Sequence, residues 1–260
     1  MTSQGNQLRY RSVGLTHVGK KRPHNEDAFL NNDDIFLYLV ADGMGGHAAG
    51  EVASHEAVDT IFGMVKRGVG SLPPLGDGRD PAAVHAVSRL MESAVQAATY
   101  MVHSMAQLDA TKSGMGTTMS ALLLHDGFAV TGQVGDSRIY LVRHGEAHQL
   151  TEDHTYVNWQ VRAGMITEAE AALSPKRNVI TRSVGNHEYV EVDVRVVPLY
   201  AGDRMLVCSE GLHGYLRDGD IEPIVALGIA EAAARLIDLA NNRGGKDNIT
   251  VVLVEVEAEV

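Results

Sequence analysis

Apolar positions along the chain fall into two kinds of pattern. Short unbroken runs predict buried strands, and stripes at three- and four-residue spacing predict amphipathic helices. The run at 35–41 is β-branched and aromatic and predicts a strand. Further strands are predicted at 13–18, 119–124, 128–134, 139–142, 204–208 and 249–256, and the alternation over 189–197 adds one more. Val52, Ala53, Ala57, Ile61 and Val65 predict a helix over 47–66. Val84, Val87, Met91, Ala94, Ala98, Met101, Met105 and Leu108 predict a second, capped by Asp80 with Pro81 in its first turn. Ile229, Ala233, Leu236, Ile237 and Ala240 predict a third over 225–240, ended by Gly244 and Gly245. Residues 67–79 are rich in Gly and Pro and read as a surface loop. The stretch 151–185 is polar with short helical pieces, one started by a Thr167–Glu170 capping box, and reads as a flap over the sheet.

Composition narrows the function classes. A chain of 260 residues with 45% apolar content is read as one catalytic domain over 1–260, with a polar lead-in over 1–9. Its net charge of −11 argues against nucleic-acid and anionic-membrane binding. No run approaches the ~20 apolar residues of a membrane span, and the start lacks a signal-peptide core. The single cysteine excludes an internal disulfide and fits a reducing compartment, so a cytoplasmic location is expected. No apolar surface stripe is left over, so a monomer is expected.

The chemistry sits at the ends of the predicted strands. Asp42, Asp136, Glu210 and Asp247 each stand at a strand boundary beside glycine or asparagine. Packed sheets bring strand ends together, and gathered carboxylates repel unless cations bind among them. Oxygen donors without a Cys/His set favour Mg²⁺ or Mn²⁺ over Zn²⁺. Arg22, close to Glu26 and Asp27, offers a planar fork for a phosphate. Arg162, Arg177 and Arg182 place further cations in the flap, for an acidic or phosphorylated partner. The glycines of Ser113-Gly114-Met115-Gly116-Thr117-Thr118 lack the lysine of a nucleotide-binding loop. Cys208, inside an apolar strand, reads as inert packing.

Five motifs in order carry a resemblance: Arg22 through Phe29, Val40-Ala41-Asp42-Gly43-Met44-Gly45-Gly46, 113–118, Gly135-Asp136-Ser137-Arg138, and Gly245-Lys246-Asp247-Asn248-Ile249-Thr250. Over residues 10–257 the chain resembles the metal-dependent protein phosphatases of type 2C in their compact bacterial form. The resemblance implies an α+β fold, a four-layer α-β-β-α sandwich whose two central antiparallel β-sheets are flanked by helices. It implies hydrolysis of phosphoserine and phosphothreonine in proteins, opposing a Ser/Thr kinase, by direct attack of a metal-bridging water or hydroxide. By position, Asp42 would bridge two metal ions, the Gly43 carbonyl and Asp247 would be ligands, and Glu26 and Asp27 would hold metal-bound waters. Arg22 would bind the phosphate, and Asp136 would serve a third ion. Two positions depart from the family pattern. Glu210 stands where Asp is usual, and Met44 where animal members carry histidine. A phosphoprotein-binding pseudophosphatase, supported by Glu210 alone, is the alternative, and a hydrolase of small phosphorylated metabolites is the third reading.

Overall fold

The computed structural model describes residues 8–45 and 49–259. Its strands are β1 (Leu8–His17), β2 (Asp27–Asn32), β3 (Leu37–Met44), β4 (Gly116–Thr117), β5 (Met119–His125), β6 (Phe128–Val134), β7 (Arg138–Arg143), β8 (Glu146–Gln149), β9 (Asp193–Pro198), β10 (Arg204–Cys208) and β11 (Ile249–Ala258). Its helices are α1 (Ala49–Gly68), α2 (Pro81–Leu108), α3 (Tyr156–Arg162), α4 (Glu168–Leu173), α5 (Glu210–His213), α6 (Ile221–Val225) and α7 (Ile229–Asn242). One antiparallel sheet runs β1-β11-β10-β7-β8 and the other β2-β3-β5-β6-β9, with β4 added to β3.

Two-residue alternation on the central strands creates the layers. Leu37, Leu39 and Ala41 of β3 face α1 and α2, where Ala53, Ile61, Val87, Met91 and Ala98 meet them. Tyr38 and Val40 face the other way, toward Ile139, Val207, Val252 and Val254 of the second sheet. The outer face of that second sheet, through Leu206, Cys208, Val251 and Leu253, packs on Leu236, Ile237 and Ala240 of α7. Both faces of β3 are therefore buried, which is why its sequence is a continuous apolar run. The four-layer α-β-β-α order expected from the resemblance is the order observed. No described helix is long and apolar enough to cross a membrane.

Several boundaries differ from the sequence reading. β1 starts at Leu8, inside the expected lead-in, because Arg11 on its solvent face pairs with Glu255 and Glu257 of β11. β2 was not foreseen; its polar Asn31 and Asn32 lie where the strand runs into the turn before β3. The stretch 225–240 is two helices, parted at Gly228 with φ 92°. Tyr189 to Val192 precede β9 without joining it. The expected helix start at His47 lies outside the described residues. The caps at Asp80 and Thr167 form as expected, the first by Asp80 accepting from Ala82 N–H at 2.9 Å.

Candidate active site

Antiparallel pairing places the chemistry at one end of the sandwich. A strand that ends there is flanked by strands that begin there. His17 at the end of β1 lies opposite Ile249 at the start of β11. Cys208 at the end of β10 lies opposite Val251 and Arg138. In the other sheet Asp27 is directly opposite Asp42, and Met119 is opposite Val134. The residues just beyond these ends, Glu26, Asp136, Glu210 and Asp247, therefore gather over both sheets. A cavity of about 980 Å³, bordered by Tyr10, Phe36, Phe128 and Tyr200, lies at the opposite end, and one of about 720 Å³ opens beside Asp136, Arg177 and Glu210.

Asp42 is held through its backbone. Its N–H donates to Thr118 Oγ1 at 2.9 Å, and its carbonyl accepts from Thr117 Oγ1 and Thr118 N–H, both at 2.9 Å. The glycine–threonine motif is therefore a strap for Asp42, which leaves the carboxylate free for other work. Burial raises the Asp42 pKa well above the ordinary value, and Asp27, Asp136, Asp247 and Glu210 push it further. Asp27 is buried; its Oδ2 accepts from Ser209 Oγ at 2.8 Å and Thr250 Oγ1 at 2.6 Å, while its Oδ1 is buried without a partner. Burial lifts Asp27 to about 6 against the pull of those two hydroxyls. Burial, with Asp153 and Glu210 nearby, lifts Asp136 to about 7. Glu210 is raised by burial and by Asp247, and Glu26 by burial.

Glu26 and Asp247 come from opposite ends of the chain and are joined by Asn248. The Asn248 Oδ1 accepts from Glu26 N–H at 2.8 Å, and its Nδ2 donates to Val18 and His24 carbonyls at 3.0 and 2.9 Å. Asn248→Ala removes all three bonds from a buried side chain. A stability loss of about 2–3 kcal/mol is expected in urea unfolding, with the slope unchanged. Arg22 donates to Asp247 Oδ2 at 2.7 Å, and its side chain is half exposed.

The flap arginines separate into different roles. Arg177 borders the smaller cavity with Glu210 and Asp136. Arg162 pairs with Glu152, and Arg182 pairs with Asp193 at 2.8 Å and Glu191 at 3.0 Å. Those two are engaged in ion pairs within the flap and its base, whereas Arg177 borders the cavity. Cys208 is buried, its thiol pushed up to about 12, as its place in an apolar strand implied. Gly46 of the glycine motif lies outside the described residues. Residues without a motif signal also build the site: Gln133, His154 and His213 all hydrogen-bond to its loops. Each is a lone polar residue, and only the fold shows what it meets.

Whether the donors suit a hard divalent cation can be tested on the site itself. Among the described residues no three acidic or histidine side chains form a closed ligand set around one point. The carboxylates lie near enough to raise the pKa of Asp42 together, and Arg22 is the guanidinium paired to Asp247. The unpartnered Asp27 Oδ1, the crowding that raises Asp42, and the all-oxygen donors fit a cation of the Mg²⁺ or Mn²⁺ kind.

Comparisons with known proteins agree with this geometry. Residues 13–253 match the sequence profile described as Protein phosphatase 2C. The chain is 37% identical over 250 residues to protein phosphatase PhpP of Streptococcus pneumoniae, covering 94% of this chain and 97% of that one. The crystal structure of the Mycobacterium tuberculosis serine/threonine phosphatase PstP/Ppp superposes with a TM-score of 0.82 at 35% identity, covering 96% of this chain and 99% of that one. The catalytic domain of PstP in complex with two manganese ions matches equally well, at 34% identity, TM-score 0.82, and coverage of 96% and 100%. With the five motifs gathered at one end of a shared four-layer fold, the chain belongs to the protein phosphatase 2C family.

Proposed function

We propose that the protein is a metal-dependent protein serine/threonine phosphatase. The observation that carries this reading is the meeting of Glu26, Asp27, Asp42, Asp136, Glu210 and Asp247 beside one half-exposed arginine, Arg22. Asp42, the Gly43 carbonyl, Asp247 and Glu210 would hold two ions, Mn²⁺ or Mg²⁺, with Glu26 and Asp27 behind them and Asp136 serving a third. The manganese pair of the related PstP catalytic domain supports that assignment. Bound ions supply Lewis-acid charge that polarises the phosphate and makes water a competent nucleophile at neutral pH.

The chain's own residues supply placement. Arg22 offers two parallel donors to phosphate oxygens at the exposed rim and offsets charge as the ester bond breaks. Ser209 and Thr250 fix one Asp27 oxygen, so that the other is presented in a single direction. The Asp42 carboxylate is positioned by the threonine strap. The flap and the cavity beside it supply the surface for a protein substrate, and the expected partners are phosphoproteins and the Ser/Thr kinase that makes them. A cytoplasmic monomer is the accompanying assignment.

The reading as a binding module rests on Glu210 alone. Glu210 borders the same cavity as Asp136, so its longer side chain remains within the acidic group. The test is phosphate release from a phosphothreonine peptide and from a small aryl phosphate, with Mn²⁺, Mg²⁺ or chelator, by wild type and Glu210→Asp. Release by the wild type that stops with chelator supports the enzyme. Release by Glu210→Asp only would favour the binding module, and release from the aryl phosphate only would favour a small-molecule hydrolase. Arg22→Lys is expected to lower kcat/KM on the peptide roughly tenfold to a hundredfold, because a point charge replaces a fork. Mn²⁺ affinity, measured by calorimetry, is expected to hold, since Arg22 competes for Asp247.

A further inference from the structure

We propose that His154 is a positioning residue that, oriented by Asp193, fixes the Gly135–Asp136 turn from the base of the flap. The turn leaves its strand at Gly135, with φ 98°, where a side chain would meet Thr118 at 2.7 Å. Only glycine fits, and because glycine is the most permissive residue the direction of its N–H has to be fixed from outside. That N–H donates to His154 Nδ1 at 3.1 Å. An imidazole nitrogen that accepts carries no proton, so the proton is on Nε2. Nε2 faces Asp193 Oδ2 at 3.2 Å, and the carboxylate selects the tautomer that leaves Nδ1 free to accept. Arg182 Nη1 holds the other Asp193 oxygen at 2.8 Å. Its 3.3 Å approach to His154 Nε2 joins two donors and is a contact, with no hydrogen bond.

The backbone of His154 completes the clasp. Its N–H donates to Gly135 C=O at 2.9 Å, and its carbonyl accepts from Thr181 N–H at 2.8 Å on the far limb of the flap. One residue thus binds the N–H and the C=O of Gly135, in the two peptide groups that flank it, and both limbs of the flap. On the other side of the turn, His213 Nε2 meets the Asp136 carbonyl at 2.8 Å, and Gln133 Nε2 donates to the carbonyls of Gly135 at 3.0 Å and Ser137 at 2.7 Å. With the backbone fixed in this way, the Asp136 carboxylate has one place to stand. His154 is buried, which keeps water from substituting for its acceptor.

The activity arm of the test rests on the phosphatase reading; the structural arm does not. Asn places an amide atom where Nδ1 lies and can accept from Gly135. Gln places one where Nε2 lies and can reach only Asp193. Wild type, His154→Asn and His154→Gln are compared by hydrogen exchange over residues 133–138 and by the Mn²⁺ concentration for half-maximal phosphate release. His154→Gln is expected to speed exchange there by about tenfold and to raise the half-activating Mn²⁺ by a similar factor, with His154→Asn within about threefold of wild type on both. Asp193→Ala is expected to move both readouts in the His154→Gln direction by a smaller factor, and it decides the matter if His154→Gln does not fold. Equal behaviour of the Asn and Gln variants, or unchanged exchange in His154→Gln and Asp193→Ala, would overturn the proposal. A wild type that releases no phosphate would count against the phosphatase reading, and the exchange measurement would still decide the role of His154.

Discussion

Asp42→Asn is expected to abolish phosphate release, by at least roughly 10³-fold, while making the chelator-treated protein more stable. The two effects share one cause. Asp42 stands among Asp27, Asp136, Asp247 and Glu210, and its ionised form is disfavoured by burial and then by each of them. An isosteric amide removes one charge from the group and also removes the donor around which the others are arranged. The sign is visible in the pH dependence. A carboxylate raised in the folded state binds its proton more tightly folded than unfolded, so its stabilising contribution is present below about pH 4 and is lost as pH rises through the folded value. Asp27 at about 6 and Asp136 at about 7 place that loss near neutrality, and Asp42, raised by the same burial and crowding, adds to it in the same sense. Buried His213, held down to about 3, acts in the opposite sense, losing stability only as pH falls below about 6.5. The interval from pH 6.5 to 8 therefore reports the carboxylates. In chelator the wild-type Tm is expected to fall across it. Asp42→Asn is expected to fall less and to melt roughly 3–6 °C higher at pH 8. Mn²⁺ is expected to raise the wild-type Tm and to leave that of the variant nearly unchanged. Equal melting of the two proteins in chelator at pH 8 would remove the repulsion from the explanation.

Gly211→Ala is expected to damage stability and activity together, from a position that donates nothing to the site. A Cβ on Gly211 would lie 1.7 Å from the Asn248 carbonyl oxygen and 3.4 Å from Asp247 Cβ. The clash is with backbone, which cannot swing aside as a side-chain tip does. The loop carrying Asp247 and Asn248 must therefore move off α5. That displaces an expected metal donor and strains the Asn248 bonds to Glu26, Val18 and His24 at once. A loss of about 3 kcal/mol is expected in urea unfolding. A loss of Mn²⁺-dependent release by roughly a hundredfold should accompany it, even where the variant is folded, because a displacement near 1 Å has that effect on catalysis. Gly211→Ala with wild-type stability and activity would show that the loop is free to shift and that the packing of α5 on it is not what holds Asp247.

How much of this was legible in the sequence differs by kind of residue. The central strands were readable because β3 is buried on both faces from Leu37 to Ala41 and so is apolar over that run. The carboxylates were readable because Asp42 closes the apolar run of β3 and Asp136, Glu210 and Asp247 lie just beyond other such strands, and antiparallel pairing must bring those ends together. β2 was not readable: the apolar run in DAFLNN is only three residues long, and the strand is defined by its ladder to β3. The start of β1 was hidden by Arg9 and Arg11, which break the apolar pattern until Glu255 and Glu257 appear beside Arg11. Leu108 continues the apolar stripe of α2 in sequence, yet it is 88% exposed at the last position of the helix. His154 and His213 were the least legible, since a single polar residue has no period, and for Asn248 the motif marked the residue but not its partners. Asn248 meets Glu26 from 222 positions away, and no local pattern encodes such a pairing.

The most direct measurement is to titrate Mn²⁺ calorimetrically into chelator-treated wild type and Asp42→Asn, and to follow phosphate release from a phosphothreonine peptide in the same samples. Two ions bound per wild-type chain, release that rises with their binding, and loss of both in Asp42→Asn are the expected result. Release that persists in excess chelator, or Mn²⁺ binding that is unchanged when Asp42 becomes Asn, would contradict a cation site gathered around Asp42.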